Sequence, residues 1–113
     1  MSLDLSTEFG LVDGKSYIIG REGHIRLDAS SVSKKHAEMI IKNRRVYLRD
    51  LNSTNGTYLV MGDELYSLDE GYVGQYQPIM IGRVKCTLRS LLSANCPIPR
   101  SLAEVAEVEY SED

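Results

Sequence analysis

Four groups of residues have the types and spacing to do chemistry. Asp50-Leu51-Asn52-Ser53-Thr54-Asn55-Gly56-Thr57 is short, polar and dense in side chains that hydrogen-bond to nearby backbone. Such a loop can gather several donors at one point, as holding an anion requires, although Asn55-Gly56 between strand-like runs is also a plain hairpin signal. Ser33 and His36 stand three residues apart, a hydroxyl and an imidazole that could form a hydrolase pair. No strained nucleophile turn surrounds Ser33, which argues against catalysis. Lys34 to Arg49 carries six bases (Lys34, Lys35, Lys42, Arg44, Arg45, Arg49) against Glu38 alone, a local charge of +5 able to attract an anionic partner. Finally, Gly20-Arg21 puts a guanidinium where a β-prone run gives way to a polar loop.

The elements that must position these groups read as short strands. Phe9 to Val12 and Ser16 to Ile19 flank Asp13-Gly14 as a hairpin would, and Ile25-Arg26-Leu27 suggests a very short strand. From His36 to Lys42, Ala37, Met39 and Ile41 alternate with Glu38, Ile40 and Lys42. Asn43-Arg44 then turns the chain into Arg45 to Asp50, where Val46 and Leu48 alternate with Arg45, Tyr47 and Arg49. Thr57 to Val60 and Glu64 to Leu68 form another hairpin pattern around Met61-Gly62-Asp63. Leu68 to Pro78 reads as a loop with partial strand character, and Ile79 to Ile81 and Val84 to Arg89 as the closing strands. About nine or ten short strands, with no helical period inside the core, predict an all-β antiparallel sandwich or barrel with its loops gathered at the strand ends.

At 113 residues the chain has the length of one domain. Its 42% hydrophobic and 26% charged content is that of a globular protein, and no apolar run approaches the ~20 residues needed to span a bilayer. Met1-Ser2-Leu3-Asp4-Leu5 has neither the basic region nor the apolar core of a secretory signal, so the expected location is cytoplasmic. Cys86 and Cys96 are too few for a disulfide framework, and with two histidines they offer no metal-ligand spacing. Reduced thiols, no metal and no cofactor are expected. In the cytoplasm the N-x-[ST] matches at Asn52 and Asn55 would be coincidental.

The composition changes near residue 93. Pro97 and Pro99 break any strand, and Ser101 with Glu104 fits a capping box opening a short amphipathic segment, Leu102 to Glu109. Residues 101 to 113 hold five acids (Glu104, Glu107, Glu109, Glu112, Asp113) and no base, so a net charge of −3 conceals +2 over residues 1 to 100. The expected organisation is a domain over residues 1–92 and an acidic tail or short helix over 93–113.

Taken together and in order, Gly20-Arg21, then Ser33-Lys34-Lys35-His36, then the Asp50 to Thr57 block closely resemble the forkhead-associated (FHA) domain family, across roughly residues 9 to 91. The resemblance implies an antiparallel β-sandwich of about eleven strands that binds phosphothreonine peptides. In that case Arg21 would pair with the phosphate, and Ser33 and Thr54 would give it hydroxyl hydrogen bonds. Lys34 would reach it through its amide, with its ammonium as a second group able to do so, and Asn55 would hold the peptide backbone beside the phosphothreonine. Gly20, His36 and Gly56 would shape and brace the loops.

The implied partner is a phosphothreonine-containing protein marked by a Ser/Thr kinase, bound by a monomeric, non-enzymatic domain. The alternative is a phosphate-independent adaptor or self-associating subunit on the same sandwich. Nucleic acid is not expected, because no aromatic platform accompanies the bases along the sequence. Two departures stand out: Met61 occupies the neighbourhood of an expected second peptide-holding asparagine, and Gly71-Tyr72 with a longer Leu68 to Pro78 loop stands where the family commonly has Gly-Asp. Ser31 predicts no strong charge preference C-terminal to the phosphothreonine. Thr7, ahead of the first strand, is a candidate self-regulatory phosphosite.

Overall fold

The computed structural model describes residues 5–95. Among these residues nine strands form two sheets, rather than the eleven strands that the resemblance implies. The order is α1 (Leu5–Phe9), β1 (Ser16–Gly20), β2 (Ile25–Arg26), β3 (Ala37–Lys42), β4 (Arg45–Asp50), β5 (Thr57–Met61), β6 (Glu64–Ser67), β7 (Glu70–Tyr72), β8 (Ile79–Ile81), β9 (Val84–Cys86) and α2 (Leu88–Asn95). One sheet runs β2-β1-β3-β4-β7 and the other β6-β5-β8-β9. Every pairing is antiparallel except that of β1 with β2, so the sandwich is mixed at one edge.

The alternation along β3 and β4 sets the larger sheet. Ala37, Met39 and Ile41 point inward opposite Leu48 and Val46, and all five are buried. Asn43 and Arg44 close this hairpin at φ 52° and 66°. Both lie in the left-handed region that a two-residue turn needs to match the strand twist. From the other sheet Ile79 and Ile81 complete the core with Ile19 and Ile25. Each such side chain contributes about 1.5–3 kcal/mol when removed from water.

One expected strand is absent and another is cut short. Phe9 to Val12 does not pair; the chain forms α1 and leaves it through Gly10, at φ 70°. The Leu11 amide then bonds back to the Ser6 carbonyl at 2.8 Å, a Schellman closure with Leu5 and Leu11 buried together. The Asp13-Gly14 turn is real, but it joins α1 to β1. The alternation through Val84 and Cys86 likewise stops at Thr87. Its hydroxyl accepts from the Ser90 amide, and the Ser90 hydroxyl accepts from the Thr87 amide, each at 3.0 Å. This reciprocal cap starts α2, which buries Leu88, Leu91 and Leu92 on one face and packs on β2. Its last residue, Asn95, donates to the Arg26 carbonyl and accepts from the Arg26 amide. The Glu8 carboxylate takes two bonds from the Arg89 guanidinium, at 2.5 and 2.9 Å, and so joins α1 to α2. The segment expected to be helical, Leu102 to Glu109, lies outside the described residues, as does Cys96. Cys86 is a free thiol that burial pushes up to a pKa of about 11.

Candidate functional site

Three loops meet at one end of the sandwich: the one after β1, the one before β3 and the one between β4 and β5. The first contact is a backbone clasp. The Arg21 amide donates to the Ser33 carbonyl at 3.1 Å, and the Glu22 amide to the Lys34 carbonyl at 3.0 Å. Gly20 is required here, because a Cβ on it would lie 2.2 Å from the Lys34 oxygen. The Arg21 side chain is fixed by its Nε, which donates to the Val32 carbonyl at 2.5 Å. Its two terminal nitrogens have no protein partner among the described residues. The guanidinium is therefore anchored at one edge, with the other uncommitted.

Ser33 links this pair to the third loop. Its hydroxyl oxygen accepts the Thr54 amide at 3.1 Å, which leaves its own proton available to an incoming acceptor. His36 braces the arrangement from beneath and is fully buried. Its Nδ1 accepts from the Ser33 amide at 3.0 Å, so the ring proton sits on Nε2, which donates to the Gly56 carbonyl at 2.8 Å. Gly56, at φ 85°, holds a left-handed conformation that strains any other residue, and a Cβ there would also lie 2.7 Å from the Tyr58 hydroxyl and push it aside. Arg21, Ser33, Thr54, Asn55 and Gly56 are thus brought together, with Gly20 and His36 in support.

Lys34 stands at the rim. Its ammonium is 3.9 Å from the Glu22 carboxylate, with both side chains well exposed. Asn55 donates from Nδ2 to the Ser31 carbonyl at 2.9 Å and keeps Oδ1 available. The Ser31 hydroxyl in turn accepts the Arg83 amide at 3.0 Å, so the β8–β9 turn adjoins the site and brings a cation that sequence order concealed.

The organiser of the β4–β5 loop is Asp50, to which the sequence reading assigned no role. Its Oδ2 accepts the Ser53 amide, while Oδ1 accepts the Ser53 and Thr57 hydroxyls at 2.6 and 2.7 Å. Ser53 passes the order on by accepting the Gly56 amide at 2.9 Å. Burial works to raise the Asp50 carboxyl, but the bonds from Ser53 and Thr57 outweigh it and hold the group below its ordinary value. The signal was visible: an aspartate three residues before a serine and seven before a threonine is an Asx-type loop brace.

One sequence expectation is corrected by position. Met61 ends β5 opposite Glu64, four residues from Thr57, so the missing asparagine lies at the far end of the strand and away from the site. Leu5 of α1 lines a groove with Arg44 and Arg45, at the end of β4 opposite Asp50.

These features coincide with a family. The FHA domain model matches residues 17–73, about half of the chain, and the chain belongs to the FHA domain family. The FhaA FHA domain, solved in complex with the intracellular domain of Rv3910, is 30% identical with a TM-score of 0.55 over 66% of this chain and 79% of that one. The FHA domain of CT664 from Chlamydia trachomatis is 29% identical, with a TM-score of 0.56 over 66% of this chain and 75% of that one. A third structure, from a study of phosphothreonine-dependent FHA domain interactions, is 29% identical, with a TM-score of 0.56 over 67% and 77%. No curated protein matches the sequence. FHA domains are interaction modules, typically of phosphothreonine peptides. Among the described residues no helix is long and apolar enough to cross a membrane.

Proposed function

We propose that this domain binds phosphothreonine peptides from partners marked by a Ser/Thr kinase, with Arg21, Ser33, Lys34, Thr54 and Asn55 as the contacts. The observation that carries the reading is the Arg21 and Ser33 pair. One guanidinium edge and one hydroxyl proton on adjoining loops are left uncommitted by the described protein and can answer an anion. A phosphate monoester brings nearly two negative charges and three strong acceptors to such a cradle. Charge-assisted bonds contribute about 1.5–3 kcal/mol each. Three or four of them, less the entropy of association, suit a micromolar affinity of about −8 kcal/mol. Asn55 would accept a peptide amide through Oδ1 while its Nδ2 stays on the Ser31 carbonyl, adding a hold on backbone to the hold on phosphate.

The same geometry disfavours hydrolysis. His36 uses Nδ1 on the Ser33 amide and Nε2 on the Gly56 carbonyl, so no ring nitrogen remains to take a proton from the Ser33 hydroxyl. A cytoplasmic, monomeric module fits this role.

The test is calorimetric titration with a degenerate phosphothreonine peptide library and its unphosphorylated twin. Saturable binding of the phosphorylated library alone is expected. Equal binding of both would sink the reading in favour of a phosphate-independent adaptor.

A further inference from the structure

At the far end of the larger sheet a second surface is unclaimed by the phosphate site. Lys42 stands over the Tyr47 ring at 4.0 Å and Arg45 over the Tyr72 ring at 4.2 Å. The two rings meet edge to face at 5.1 Å, and the Tyr47 hydroxyl bonds Glu70. This is an aromatic platform beneath the bases, contrary to the sequence expectation, because β7 carries Tyr72 to a register opposite Tyr47. Among the described residues Lys42, Arg44 and Arg45 have no carboxylate partner within ion-pair distance, and Asp13 accepts the Arg44 amide. Beside them opens a groove of about 270 Å³, with Leu5, Val46 and Val73 along it and Arg44, Arg45 and Tyr72 at its rim. Tyr72 is 48% exposed. An apolar floor with a cationic rim fits a segment in which acidic and apolar residues alternate.

The chain contains such a segment. Glu104-Val105-Ala106-Glu107-Val108-Glu109-Tyr110 interleaves three acids with apolar residues and has no base. Its tether is long enough. Asn95 is held on β2 at Arg26, the outer edge of the larger sheet, level with Gly20. From there the groove lies four strand spacings across, about 19 Å, and five residues along, about 17 Å, or about 26 Å in all. The nine residues from Asn95 to Glu104 span up to about 30 Å when extended. We propose that residues 104–110 of the same chain dock in the groove rimmed by Arg44, Arg45 and Tyr72, making this face an intramolecular seat for the acidic tail. The docking is independent of phosphopeptide binding, which uses the opposite end of β4.

The test compares amide spectra of the full ¹⁵N-labelled chain with those of a variant carrying E104Q, E107Q, E109Q, V105S and V108S. Expected are shifts at Arg44, Arg45, Tyr72 and Val73 that are independent of protein concentration, with Arg21, Ser33 and Thr54 unmoved. Arg44→Glu with Arg45→Glu should in turn shift residues 104–110. The wild-type tail signals should move the same way in about 1 M salt, where the screening length falls to about 3 Å. Groove amides indifferent to the tail variant would overturn the proposal, as would shifts at Arg21 and Ser33, which would put the tail in the phosphate site. Shifts that grow with concentration would assign the groove to another copy's tail. Groove shifts caused by a single-stranded oligonucleotide but not by the tail variant would assign it to nucleic acid. Either result overturns the in-chain seat.

Discussion

At the loop end, Arg21 is held by the Val32 carbonyl, and Ser33 is held by the Thr54 amide and by His36. At the hairpin end, Lys42 and Arg45 rest on the faces of Tyr47 and Tyr72 and meet no carboxylate among the described residues. The first arrangement fixes donors in direction and suits a ligand of defined geometry. The second fixes only where positive charge lies and suits a segment recognised by pattern. Rigidity at the loop end comes from one buried histidine and one carboxylate, so damage there should spread. Damage at the hairpin end should stay local.

The largest expected effect tests that spread. Asp50→Asn replaces one acceptor oxygen with an amide group facing Ser53 or Thr57 and should lower unfolding free energy by about 2–4 kcal/mol in denaturant titration. Because the folded carboxyl lies below its ordinary 3.8, its contribution is present above that pH and is lost as pH falls through the lower folded value. The wild type should therefore lose stability in that acid window more steeply than the variant. Arg21→Ala comes next. Phosphopeptide affinity should fall about 10- to 100-fold by calorimetry, with melting temperature nearly kept, since the side chain makes one bond to the rest of the protein.

Tyr72→Ala probes the other end. It removes a ring pair and a cation–π contact worth about 1–2 kcal/mol together, and should leave phosphopeptide affinity unchanged. A parallel loss of binding would break the contrast between the ends. The smallest effect is at the rim. Glu22→Gln frees Lys34 from a surface pair worth at most about 1 kcal/mol and should strengthen phosphopeptide binding two- to fivefold, with a steeper salt dependence.

What the sequence disclosed follows from how locally each feature is encoded. β3 and β4 were legible because Ala37, Met39, Ile41, Val46 and Leu48 state their face in a period of two. α2 was not, because Val84, Cys86 and Leu88 continue that period across its start and the cap pairs Thr87 with a serine instead of a glutamate. α1 is only five residues long, too short for periodicity to speak. Among the site residues, Arg21, Ser33, Thr54 and Asn55 could be named from ordered blocks. The neighbourhood of Arg83 depends on a turn 52 residues from Ser31, and the Tyr47–Tyr72 platform on a pairing across 25 residues. Such contacts are set by topology, which no short window contains.

The Asn95 side chain has one more consequence. Its carboxamide gives Arg26 both an acceptor and a donor, the pair of bonds a neighbouring strand would supply, and so ends the β2 border with a single residue. Another chain has no free ladder to join there. Among the described residues β6 has no such stopper, and its four residues are exposed, Leu65 and Tyr66 among them. When concentrated samples of this domain begin to self-associate, the fibril or dimer seam should therefore start along β6, and a lysine at Leu65 should delay it.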